Sequence, residues 1–226
     1  MRDLPYRKKI VLSLLVLSVM AVSLSLSRTQ ITQNFTHIWM NWNLFLAWLP
    51  LVAAIIASQL HSKGRSVSMS LFLLIWLLFL PNAPYMMTDL IHIATSPQYM
   101  LWYDGIMFFT FALVGIGTWV SSLTLVEEMI CRQISTRIHR VIFISSISLL
   151  TGFGVYLGRE LRFNSWDLLH NGSEIWRAIG DVILHPTQHQ PVVSMTIIFA
   201  VMLMIAYFIY RSFTPAIVCL SRKTEK

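Results

Sequence analysis

Asp89, His92 and Glu160 are the residues of this chain best suited to proton transfer or to holding a divalent ion. A carboxylate with an imidazole three residues away suits either role. Arg159 and Arg162 add two planar, permanently charged forks of the kind that grip carboxylate or phosphate. Asn82, Tyr85, Asp104, Asn164 and Asp167 supply further polar atoms for orienting a ligand. All of these lie in two windows, Leu80–Asp104 and Gly158–Gln190. No stronger catalytic signature accompanies them: there is no HExxH helix, nucleophile elbow or phosphate loop. His185 and His189 have the spacing of a helical metal pair, but Pro186 separates them. No metal site is therefore assigned, Asp89 and His92 being weak candidates only, and no cofactor is specified.

Three uses of such a cluster compete. Charges close to a membrane must pair whatever their function, so an ion-pair network tying helix ends together is one. A second is a binding or transport site in which Arg159 and Arg162 hold an anionic headgroup or solute. The third is an interfacial enzyme built on Asp89, His92 and Glu160. A proton-coupled carrier is disfavoured, because no ionisable residue falls in the middle of an apolar stretch.

The elements that must position these residues are plain. Residues 10–27, 42–60, 67–88, 105–126, 141–158 and 191–210 are strongly apolar, and all are free of Lys and Arg. Each has the length of a membrane-spanning helix, which needs about 20 residues. With 56% hydrophobic and 12% charged residues, the chain is too apolar for a water-soluble domain. The expected fold is an all-α, six-span bundle forming one integral membrane domain over residues 1–226. The net charge of +7 reads as topology and lipid contact, not nucleic-acid binding. With a cytoplasmic N-terminus, only Arg28, Arg159, Arg162 and Arg177 of the 17 Lys and Arg residues fall outside. That bias places both termini in the cytoplasm. The first stretch is longer than a signal-peptide core and has no clean cleavage site, so it is read as a retained helix. Cys131 and Cys219 are expected to be free thiols near the inner side. Sequons at Asn34 and Asn171 carry little weight at three residues each.

Local signals refine this picture. Pro81 and Pro84 should kink or stop the third span. Thr88 is expected to cap a short turn that puts Asp89 and His92 on one face. Ile175, Trp176, Ile179, Val182 and Ile183 recur at helical spacing, predicting a short interfacial helix around Glu174–Leu184. Gly152, Gly154 and Gly158, and likewise Gly115 and Gly117, are read as close-packing positions.

The runs Leu80-Pro81-Asn82-Ala83-Pro84-Tyr85 with Thr88-Asp89 and His92, then Trp102-Tyr103-Asp104, then Gly158 through Asp167, together resemble a known family. It is the uncharacterised bacterial integral membrane family called Domain of Unknown Function 1361. The resemblance runs from about the second span through the sixth. It implies a bacterial membrane protein and no particular activity. The polar residues of those runs coincide with the outer cluster found by sorting charges. The expectation is thus a multi-pass protein of the bacterial cytoplasmic membrane, its partners being the lipid bilayer and a lipid or small-molecule ligand at the outer face, with no nucleic acid. That ligand would be polar or anionic, such as a lipid headgroup. The alternatives are an interfacial enzyme acting on a lipid-linked or envelope substrate, or a small-solute transporter. All of these require the windows around Asp89–Asp104 and Arg159–Asp167 to meet.

Overall fold

The computed structural model describes residues 4–130, 136–161, 177, 180–182, 184–185 and 190–214. Among them all regular structure is helical. Six stretches are long and apolar enough to cross a membrane: Arg7–Thr32, Trp39–Ser62, Ser66–Thr95, Gln98–Ile130, Arg137–Arg159 and Gln190–Phe213. Each expected span is present, and each helical stretch extends past its apolar core into polar residues at both ends. Backbone hydrogen bonding does not stop where the side chains turn polar, so the helices overrun the hydrocarbon.

The helices fall into two compact units. In the first, α1 (Leu4–Thr32), α2 (Trp39–Ser62), α3 (Ser66–Phe79), the one-turn α4 (Asn82–Tyr85) and α5 (Leu101–Ile130) pack together, with α5 against α1, α2 and α4. Helix α5 is by far the most buried span, which makes it the axis of this unit. A tight turn joins α2 to α3. Gly64 adopts φ +72, its N–H donates to His61 O at 3.1 Å, and Arg65 N donates to Leu60 O at 3.1 Å. This is a left-handed C-terminal cap of the six-to-one type, which glycine accommodates without Cβ strain.

The two prolines act as expected. Helix α3 ends at Phe79, before Pro81, and α4 begins at Asn82. The break pushes backbone towards α5: a Cβ on Gly115 would lie 2.2 Å from the Ala83 carbonyl oxygen. Gly115 is therefore the residue that admits the broken strand of helix against the central span. Gly117 has a softer neighbour, the Leu14 side chain. Beyond α4 the chain continues as a 3₁₀ helix, Thr88–Thr95, and a short 3₁₀ turn, Gln98–Met100, before entering α5. Thr88 does not cap this segment. It is the first residue of the 3₁₀ helix, and its hydroxyl donates backwards to Tyr85 O at 2.7 Å. A hydroxyl inside a helical turn reaches the preceding carbonyls more readily than the following amides.

The second unit contains α6 (Arg137–Arg159) and α7 (Gln190–Phe213), packed side by side. Thr136 caps α6 by accepting from His139 N at 3.2 Å. The two helices approach at Gly152, whose added Cβ would stand 2.6 Å from Thr196 O. The expected interfacial helix around Glu174–Leu184 falls largely outside the described residues. Within it Arg177, Gly180, Asp181, Val182 and Leu184 are helical, and Asp181 Oδ1 accepts from His185 Nδ1 one turn on, at 3.1 Å.

Candidate functional site in the five-helix unit

Arg28 stands one turn before the end of α1, and Asp104 lies in the first turn of α5. They meet in a two-pronged ion pair: Nε donates to Oδ1 at 2.6 Å and Nη2 to Oδ2 at 3.0 Å. Arg28 is 4% exposed and Asp104 not at all. The fork matches the carboxylate, and the start of α5 adds a favourable dipole for the negative partner. One turn below, Tyr103 donates to Leu24 O at 2.8 Å, which fastens α5 to α1 at the same level. From Ile10 to Gln59, Arg28 is the only charged residue, and no Lys or Arg occurs between Ser66 and Cys131. Among the described residues this end of the unit therefore has one cation, Arg28, against two buried carboxylates, Asp89 and Asp104.

The link from α1 to α2 brings an imidazole to the pair. Gln33 turns the chain with φ 52, and Asn34 Oδ1 accepts from Thr36 N at 2.8 Å. This Asx-type turn returns the backbone within a few residues and buries His37. The His37 ring meets Phe108 of α5 edge-on at 5.2 Å and lies 6.4 Å from His92. Burial lowers the His37 pKa from its ordinary value; nearby Arg28 and His92 push the same way, and Asp104 opposes them.

The first turns of α2 then face the 3₁₀ segment residue for residue. Trp39 packs edge-on against His92 at 5.5 Å, and Asn43, one helical turn on, donates to Asp89 Oδ2 at 3.4 Å. A 3₁₀ helix has three residues per turn, so Asp89 and His92 line up on one side, as their spacing predicts. Asp89 is fully buried and His92 half-buried. On the α1 side, Asn41 donates to Ser25 Oγ at 3.1 Å.

Among the described residues, three polar atoms of this assembly are sequestered with no hydrogen-bond partner: Arg28 Nη1, His37 Nδ1 and Asn41 Oδ1. Leaving such a group unsatisfied costs about 1–3 kcal/mol each. They belong to facing turns. Ser25 and Arg28 share one face of α1, three residues apart, and Asn41 and His37 face them from the start of α2.

The residues singled out from sequence are distributed unevenly. Asp89, His92 and Asp104 come together in this unit, with Asn82 and Tyr85 half-buried on α4. Arg159 ends α6 in the second unit, where Glu160 follows it, exposed, as the helix cap. Arg162, Asn164 and Asp167 lie outside the described residues. Asp104 is paired with Arg28. Among the described residues, no group of three or more His, Cys, Asp or Glu gathers as a metal site would require. Sequence reasoning passed over Arg28, His37, Trp39, Asn41 and Asn43. The available signal was Arg28's isolation, since a lone cation beside a long apolar stretch must find a carboxylate. At the opposite end of the unit Arg7 pairs with Glu128 at the close of α5, and neighbouring Glu127 is fully buried.

No curated protein and no solved structure matches this chain. A family profile does, over residues 42–205. The matched region includes Asp89, His92, Asp104 and Arg159, whereas Arg28, His37 and Asn41 precede it. That match spans most of the chain, which belongs to the family described as "Protein of unknown function (DUF1361)".

Proposed function

We propose that this is a multi-pass protein of the bacterial cytoplasmic membrane whose Arg28 end faces outward and binds the polar part of a ligand, such as a lipid headgroup. The charge bias supports the orientation: Arg28, Arg159, Arg162 and Arg177 are the only Lys or Arg residues that six spans would put outside. A membrane setting for the ligand is favoured by the link into α2 and its first turns, where Phe35, Ile38, Trp42 and Phe45 are exposed at intervals of three and four residues beside the cluster. Trp102 and Tyr99 are exposed at the same end, as residues at headgroup depth are.

The observation that carries the reading is the set of unpartnered polar atoms around a buried ion pair. Arg28 Nη1 and His37 Nδ1 belong to side chains more than nine-tenths buried, and among the described residues neither has a hydrogen-bond partner. A network built only to tie helices together gains most when every member is satisfied. Native mass spectrometry of detergent-purified protein tests the proposal. Wild type should retain a bound lipid or polar small molecule that His37→Phe and the double variant Arg28→Leu/Asp104→Leu lose while still melting cooperatively. Equal retention by all three proteins would refute it.

A further inference from the structure

The unpartnered atoms define what chemistry the ligand brings. Resting on the binding reading above, we infer that the site takes an uncharged, hydroxyl-bearing group, a sugar or polyol, in preference to an anion. Two observations carry this, one from charge and one from hydrogen-bonding type.

The charge argument starts from Arg28. Asp104 already occupies the Nε/Nη2 edge of its guanidinium through two bonds of 2.6 and 3.0 Å, so its positive charge is matched within the protein. Asp89 is buried on the neighbouring 3₁₀ turn, and His37 is held towards its neutral form. With His37 and His92 uncharged, the described groups at this end sum to no net positive charge whether or not Asp89 is ionised. An incoming phosphate or carboxylate would meet two acidic side chains and one cation already neutralised. Like charge in a poorly hydrated site is strongly disfavoured.

The hydrogen-bonding argument concerns roles. Arg28 Nη1 only donates, Asn41 Oδ1 only accepts, and His37 Nδ1 does either according to tautomer. Helices α1 and α2 run antiparallel about Gln33, placing Ser25 against Asn41 and Arg28 level with His37. The donor and the acceptor are thus carried by side chains rooted about one helical turn apart along this end of the hairpin. A hydroxyl both accepts and donates, so a group bearing several hydroxyls offers a partner to Arg28 Nη1 and another to Asn41 Oδ1. An ionised oxygen can only accept, which leaves Asn41 Oδ1 unsatisfied.

The test is a competition read by native mass spectrometry. Purified protein is offered equal amounts of a monoglucosyl diacylglycerol and a phosphatidylmethanol with the same acyl chains, an anionic phosphodiester without a hydroxyl, and separately free methyl glucoside. Wild type should retain the glucolipid over the phosphatidylmethanol by at least about threefold, and His37→Phe or Asn41→Leu should cut glucolipid retention by about threefold or more, the cost of one lost buried hydrogen bond. Asp89→Asn, which removes a carboxylate charge with little change of shape, should raise phosphatidylmethanol retention. Methyl glucoside binding as well as the glucolipid supports the same chemistry with a soluble source. Preference for phosphatidylmethanol in the wild type overturns the inference while leaving the binding reading in place. Retention of nothing by wild type above the level of His37→Phe and Asn41→Leu refutes both.

Discussion

Removing Arg28 alone should be among the most damaging single changes to the first unit. The pair it forms is sequestered on both sides, 4% and 0% exposed, and both prongs are short. Arg28→Leu strands Asp104 as a buried carboxylate without its cation, and breaking such a pair costs about 3–5 kcal/mol. At roughly 2–4 °C per kcal/mol for a chain of this size, thermal unfolding in detergent should drop by about 10 °C. Asp104→Leu should cost a similar amount, because it strands the guanidinium. The double variant should recover most of the loss, since two apolar side chains of similar volume are often as stable as a buried pair. Arg28→Lys keeps the charge and loses one prong, so it should fall between, at roughly 1.5–3 kcal/mol. The assay is a double-mutant cycle on melting temperatures, followed by intrinsic fluorescence of the eight tryptophans. Additive single effects, with a coupling below about 0.5 kcal/mol, would mean that the two side chains do not share a buried contact and would refute the reasoning.

Other outcomes follow from packing and titration. Gly115→Ala drives a methyl into the Ala83 carbonyl, 2.2 Å away on backbone that cannot rotate aside, and should cost about 1–3 kcal/mol in melting assays. Gly105→Ala, in the same helix with nothing within 4 Å, should be neutral or gain up to about 1 kcal/mol of helix propensity. Gly152→Ala should loosen α6 from α7 as Gly115→Ala loosens α4 from α5, because its obstacle is likewise a backbone carbonyl, Thr196 O at 2.6 Å. Gly117→Ala should be milder, since only the end of the Leu14 side chain must move. His37 gives a pH signature. Its folded pKa lies below the ordinary 6.5, so the unfolded chain binds the extra proton first as pH falls. Stability should be full above about pH 6.5 and decline below it, and His37→Phe should flatten that decline relative to wild type. An unchanged slope in His37→Phe would show that His37 is not the titrating group.

How much of this was legible in the chain depends on what kind of signal each residue sends. Six spans and the proline break at Pro81 follow from composition and backbone sterics alone, because a bilayer permits few other solutions. The facing of Asp89 and His92 follows from a spacing of three. Thr88 misled because its hydroxyl has two ways to bond, forwards as a cap or backwards to Tyr85, and only the turn geometry decides. The Arg28–Asp104 pair was hidden for a more instructive reason. Each residue marks the point where an uncharged stretch begins or ends, so each looked like a boundary facing water. Two charges that delimit apolar cores at the same end of antiparallel-run helices lie at the same depth, and depth is what sets partners near a membrane.

The same logic reads the α1–α2 hairpin from its turn. Antiparallel helices pair residues that stand equally far from the turn between them. Ser18 and Trp48 are equidistant from Gln33, and Trp48 Nε1 donates to Ser18 Oγ at 3.0 Å. Ser25 and Asn41 are equidistant from it too, and they bond at 3.1 Å. Arg28 and His37 are offset by a single residue, close enough for the guanidinium to depress the imidazole's pKa. Polar side chains in a membrane hairpin thus sit opposite one another at intervals set by the turn, where hydrocarbon would otherwise strand them. Ser18 and Trp48 close their pair deep in the span, whereas Arg28, His37 and Asn41 each keep one polar atom unspent near the end. The contrast between a satisfied pair and an unsatisfied set along one hairpin is the ground on which the proposed binding reading rests, because helix packing alone needs only the former.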